Sequence, residues 1–126
     1  MSQLHMLHLA AAIQNGEAST MAFELAGFSD WAELAYHGSI DAAKAFHHEM
    51  LPGWSWRVAS CCVSDDAWVA PDFNCPTNGI RLKETVPMLF GHREWHMVTD
   101  VDLRPAGNPA RAWLLSIVIA LGALAK

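Results

Sequence analysis

An α+β fold, with a small antiparallel sheet of three to four strands covered by N-terminal helices and a C-terminal helix, is what this sequence predicts, and three observations carry it. From Trp95 to Leu103 the side chains alternate. Trp95, Met97, Thr99, Val101 and Leu103 fall on one side, and Glu94, His96, Asp100 and Asp102 on the other. That period of two belongs to a strand with one dry face and one wet face. After Pro105-Ala106-Gly107, Asn108 can cap a helix and Pro109 can take its first position, where a missing N–H costs nothing. Upstream, helix start and stop signals fill the first fifty residues and hairpin chemistry follows them.

The elements follow in order. Ser2 to about Gln14 places Leu4, Leu7 and Ala11 on one helical face and Met6, Leu9 and Ile13 on a neighbouring one, and Asn15-Gly16 ends the helix. Ser19 or Thr20 caps a shorter helix through Leu25 that stops at Gly27. Phe28 to His37 reads equally as a helical turn or as a loop pinned by aromatic residues. Ser39 caps a third helix with Asp41 in its first turn, where the helix dipole favours negative charge. Ala42, Ala43, Phe46 and Met50 form its apolar side, and Asp41, Lys44 and His48 its wet side. Pro52-Gly53 breaks it. Trp54 to Val63 reads as a strand, Ser64-Asp65-Asp66 as turn chemistry and Ala67 to Phe73 as the hairpin partner. Between Asn74 and Gly91 the prolines and glycines predict a long excursion with one short strand near Ile80 to Lys83; loops of that length are often functional.

The last helix reads ARAWLLSIVIALGALAK. Trp113, Leu114, Ile117, Val118, Leu121 and Leu124 form a stripe that Leu115 and Ile119 extend most of the way round, so the helix must be buried on nearly all sides. Either the N-terminal helices cover its outer side or a second copy of the chain does, as a homodimer through this helix.

At 126 residues the chain is one domain, 1–126, in expectation. Its composition, 52% apolar and 17% charged, is that of a folded globule. Eight basic residues against thirteen acidic ones give a charge of −5, which argues against a phosphate-backbone partner. Cys61, Cys62 and Cys75 are odd in number and two are adjacent, a pattern of reduced thiols in a cytoplasmic protein. The first residues lack the basic flank and cleavage site of a signal peptide. The apolar run from Trp113 to Ala125 is about 13 residues, short of the roughly 20 that a bilayer span needs.

The segments GSIDAAKAFHHEMLPGWSWRVAS (38–60) and GNPARAWLLSIVIALGAL (107–124) resemble a group of phage and prophage proteins related to the phage alpha-beta-alpha sandwich domain. The matching residues are Ser39, Ile40, Asp41, Ala42 and Ala43 at a helix start, Gly53, Trp54 and Trp56 at the head of a strand, and Asn108, Pro109 and Ala110 at the last helix. The N-terminal helices and residues 74–91 lie outside the match, and Cys61-Cys62 and the run from His92 to His96 have no counterpart in it. The resemblance implies a helix–sheet–helix sandwich of phage or prophage origin and supplies no catalytic residues.

Candidate chemistry is sparse. Cys62, Cys75, His92 and His96 loosely resemble a zinc set, the basis of an alternative reading as a small metal-dependent enzyme. On an extended segment, however, His92 and His96 sit about 13 Å apart, too far to share one ion. His5 and His8 are three apart on a helix and could be joined by His47 and His48; an apolar helix edge explains them as well. Cys61 and Cys62, on a strand, would point to opposite faces, one inward and one outward. Ser64, Asp65, Asp66 and His96 could be assembled on paper as hydrolytic groups, yet no nucleophile elbow, phosphate loop or zinc-protease motif supports them. A double-stranded-RNA-binding module would share the element order but needs a Lys-rich last helix, where this chain offers Arg104 and Arg111. The remaining reading is a non-enzymatic, cofactor-free phage accessory protein acting by protein–protein contact with a host or phage protein, most concretely as an inhibitor of a host defence system of the anti-CRISPR type. Its nominated surface is the wet sheet face, Glu94, His96, Asp100 and Asp102, together with Trp68.

Overall fold

The computed structural model describes residues 2–72 and 99–125. The excursion expected at 74–91, the short strand near Ile80, the first half of the alternating strand, and Cys75, His92, Glu94 and His96 lie outside the described residues. In chain order the described elements are α1 (Gln3–Asn15), α2 (Thr20–Leu25), α3 (Asp30–Tyr36), α4 (Ile40–Met50), β1 (Trp54–Ser60), β2 (Asp65–Pro71), β3 (Thr99–Leu103) and α5 (Pro109–Leu124). The α+β class and the antiparallel sheet are as the sequence predicts.

Local chemistry sets the helix ends. The hydroxyls of Ser2, Ser19 and Ser39 accept from the amides of His5, Ala22 and Ala42 at 3.1–3.2 Å, each satisfying an otherwise orphaned N–H. Gly16 ends α1 at φ 74°, a left-handed conformation that side chains disfavour. Phe28 to His37 resolves as α3. Its buried residues are Ala32, Ala35 and Tyr36, while Trp31 and Leu34 are exposed. Two alanines thus form the packed face with Tyr36 while the bulky Trp31 and Leu34 face out, which blurs the periodic signal. Ser29 makes no capping bond; its hydroxyl donates to Glu49 on α4 instead.

The sheet runs β1-β2-β3, antiparallel throughout. Cross-strand rows alternate between faces. Trp56–Val69–Thr99 and Val58–Ala67–Val101 lie on the inner face, and Arg57–Trp68–Asp100 and Ala59–Asp66–Asp102 on the outer. The hairpin is shifted from the sequence expectation. Strand β1 ends at Ser60, the turn is Cys61 to Ser64, and Asp65 and Asp66 belong to β2. Cys61 closes the turn itself: its N–H donates to the Ser64 carbonyl, and its Sγ accepts from the amides of Val63 and Ser64 at 3.4 Å. Because both cysteines sit in this turn, both are exposed, where strand geometry had placed one inward.

Helix α5 is the centre of the molecule. It packs on all three strands through one face and on α1, α3 and α4 through the others. Leu114, Ile117 and Val118 are fully buried and Leu115 nearly so. α1 approaches so closely that a Cβ on Gly122 would stand 3.1 Å from that of Met6. Most of the apolar circumference of α5 is therefore covered within one chain, by the sheet and by α1, α3 and α4, with Ile119, Leu121 and Leu124 partly buried.

Candidate functional site

Two buried polar side chains hold the sheet to its helices. Asp65, fully buried at the start of β2, accepts from the amides of Gly107 (2.9 Å) and Asn108 (2.6 Å) and from the Ser60 hydroxyl. Both amides lie at the N-terminal end of α5, where a carboxylate complements the helix dipole. Asn108 in turn caps α5 by accepting from Arg111 N and donates its side-chain amide to Tyr36 O. His47, fully buried on α4, sits between Trp113 and Trp54. The indole Nε1–H of Trp113 can only donate, so His47 Nδ1 accepts it (3.2 Å) and Nε2–H donates to the Trp54 carbonyl (2.9 Å). The neutral imidazole fits both bonds. Burial lowers its pKa below the usual histidine value, and His48 adds to that, against the Trp54 carbonyl, which favours the proton.

The outer sheet face carries the sequence-nominated residues that the structure describes. Trp68 and Asp100 are directly paired, and Asp102 stands beside them opposite Asp66. Arg57 completes the first row, 6.0 Å from the Trp68 ring. Asp66, Asp100 and Asp102 are exposed and Trp68 is half-buried. Asp102 is bridged by Arg104 at 3.2 Å, which lowers its carboxyl pKa. The structure therefore brings Trp68, Asp100 and Asp102 together and adds Arg57 and Asp66, which the sequence reading left out.

A second surface lies at the edge of β1. Trp56 stacks on Trp113 with centroids 5.4 Å apart and planes 20° from parallel. His48 meets the Trp56 ring edge-on, and the Lys44 ammonium stands 6.0 Å from it. Ile40, Val58, Ser60 and Pro109 complete a cleft of about 370 Å³ with the two indoles. His47, held by its two hydrogen bonds, fixes Trp113 and through it the floor of this cleft. A second concavity, of about 310 Å³, lies between α1 and α2, with His5 and His8 beside Leu9, Ala12 and Leu25.

The alternative chemistries find little footing. Among the described residues no group of three or more His, Cys, Asp or Glu is placed to hold a metal ion. His47, a candidate companion of His5 and His8 in the sequence, is engaged in the core. Of the zinc set, Cys62 lies in the exposed hairpin turn and its three companions lie outside the described residues. Asp65 is buried on the inner side and held by Ser60, Gly107 and Asn108, while Asp66 faces out, so the two carboxylates do not converge on a substrate. Arg104 is paired with Asp102, and Arg111 donates to Tyr36 O and lies 4.2 Å from its ring, so both arginines of an RNA-binding reading are occupied. No described helix is long and apolar enough to cross a membrane.

No family model, curated protein or solved structure matches this chain.

Proposed function

We propose that this chain is a non-enzymatic protein-binding module of phage or prophage origin, working in the bacterial cytoplasm on a host or phage protein, with inhibition of a host defence system as its most concrete role. The observation that carries the reading is the outer sheet face. Trp68 lies there between Arg57 and Asp100 in one cross-strand row, with Asp66 and Asp102 in the next. An aromatic side chain ringed by exposed charges is the composition of a recognition patch, in which the ring supplies contact area and the charges set specificity and encounter rate. The resemblance of 38–60 and 107–124 to phage proteins supplies the proposed origin. Asp100→Lys together with Asp102→Lys reverses the local charge without touching the core. Loss of partner capture from bacterial lysate, with the thermal transition unchanged, is the expected outcome; capture at undiminished yield removes this face from consideration.

A further inference from the structure

We infer that the edge of β1 left uncovered by the described strands, with the Trp56–Trp113 cleft beside it, binds an extended peptide segment of a partner protein as an added strand, one that alternates apolar and acidic side chains. This rests on the reading of the chain as a protein-binding module but assigns a neighbouring surface, which shares Arg57 with the outer face, and the chemistry of what it takes.

Hydrogen bonding around the hairpin fixes which backbone groups of β1 point outward. Cys61 N–H donates to Ser64 O, so Cys61–Ser64 is a hydrogen-bonded pair. Antiparallel pairs alternate, so Ala59–Asp66, Arg57–Trp68 and Ser55–Ala70 also bond to β2, while Trp54, Trp56, Val58 and Ser60 turn their N–H and C=O the other way. Trp54 demonstrates the parity. Its N–H bonds to Leu51 O and its C=O accepts from His47, both away from β2. Among the described residues, nothing occupies the outward groups of Trp56, Val58 and Ser60. Three successive outward residues form a ready template for another strand.

Side chains define what that strand must carry. On the inner side, Trp56 and Val58 open onto the cleft with Ile40, Pro109 and Trp113, a receptacle for an apolar side chain. On the outer side stands Arg57. Lys44 and Arg57 differ from the other described cations: they stand over the Trp56 and Trp68 rings, whereas Arg104 has Asp102 and Arg111 has Tyr36 O. Two cations that no described carboxylate pairs therefore flank the same edge on a chain of charge −5. Charge complementarity selects an acidic strand and opposes a second copy of this chain, which would bring one cationic edge against another.

The experiment follows amide hydrogen exchange by NMR in the full-length ¹⁵N-labelled protein, with a capped ten-residue peptide of alternating Val and Glu as probe. Saturating peptide is expected to slow exchange of the Trp56, Val58 and Ser60 amides at least tenfold and to leave those of Ser55 and Arg57 unchanged. Lys44→Glu with Arg57→Glu, both exposed, should weaken binding at least tenfold, as should Lys in place of Glu in the peptide. Asp100→Asn with Asp102→Asn should leave binding within twofold. Overturning results are no protection at millimolar peptide, equal binding of the Lys peptide, or the same protection in peptide-free protein that proves dimeric. Loss of binding in the Asp100/Asp102 variant would seat the peptide on the outer face, overturning the edge assignment while leaving the binding-module reading intact.

Discussion

The two faces of the sheet obey different rules although the same strands build them. On the inner face each polar group has fixed partners: Asp65 holds two amides at the start of α5, and His47 links Trp113 to the Trp54 carbonyl. No described buried side-chain nitrogen or oxygen lacks a hydrogen-bond partner. On the outer face Asp66, Asp100 and Asp102 meet water, and one exposed ion pair ties Asp102 to Arg104. The contrast teaches where stability resides. A buried polar group stripped of its partner incurs the full cost of desolvation, whereas an exposed one exchanges its partner for water.

Substitutions on either side sharpen that contrast. Leu115→Gln places an amide in the packed interior of α5 and should cost about 4 kcal/mol in chemical denaturation, with the protein monomeric before and after. A folded monomer released from a dimer by this change would show instead that α5 is an interface. Asp65→Ala leaves the Gly107 and Asn108 amides without an acceptor and should cost about 3 kcal/mol, lowering Tm by roughly 10 °C. Asp102→Ala, made in parallel, should leave Tm unchanged; equal losses from the two would erase the distinction between the faces. A smaller effect than that of Asp65→Ala is expected at His47. Its folded pKa is depressed, so below about pH 6.5 the unfolded chain binds the proton more readily and stability falls with falling pH. His47→Gln can keep a donor for Trp54 and an acceptor for Trp113 but does not titrate. It should cost about 1 kcal/mol at pH 7.5 and flatten the decline in Tm between pH 7.5 and 5.5.

Where local chemistry decides the structure, the sequence shows it. The caps at Ser19, Ser39 and Asn108, the stop at Gly16 and the alternation from Thr99 to Leu103 each act within a few residues and can be read directly. Asp65 cannot, because its partners lie 42 and 43 residues away at Gly107 and Asn108. Beside Ser64 and Asp66 it resembles a turn residue, and the hairpin shifts to Cys61–Ser64 to place it in the sheet. His47 is hidden in the same way next to the exposed His48, its partners being a carbonyl on β1 and an indole on α5. Of the outer surface, the pairing of Trp68 with Asp100 and the presence of Arg57 in the same row required the strand register. The place of β1 at an edge of the described sheet depended on knowing which strand is central.

The Trp56–Trp113 stack gives the molecule a built-in optical reporter. Two indoles at 5.4 Å and 20° are close enough to couple their electronic transitions, and a paired circular-dichroism signal is the expected signature. Trp113 is locked by His47 while Trp56 borders solvent, so the coupling responds to whatever tilts the outer ring. Occupation of the cleft is thus visible in unlabelled protein as a change in ellipticity, against a helical background that stays constant.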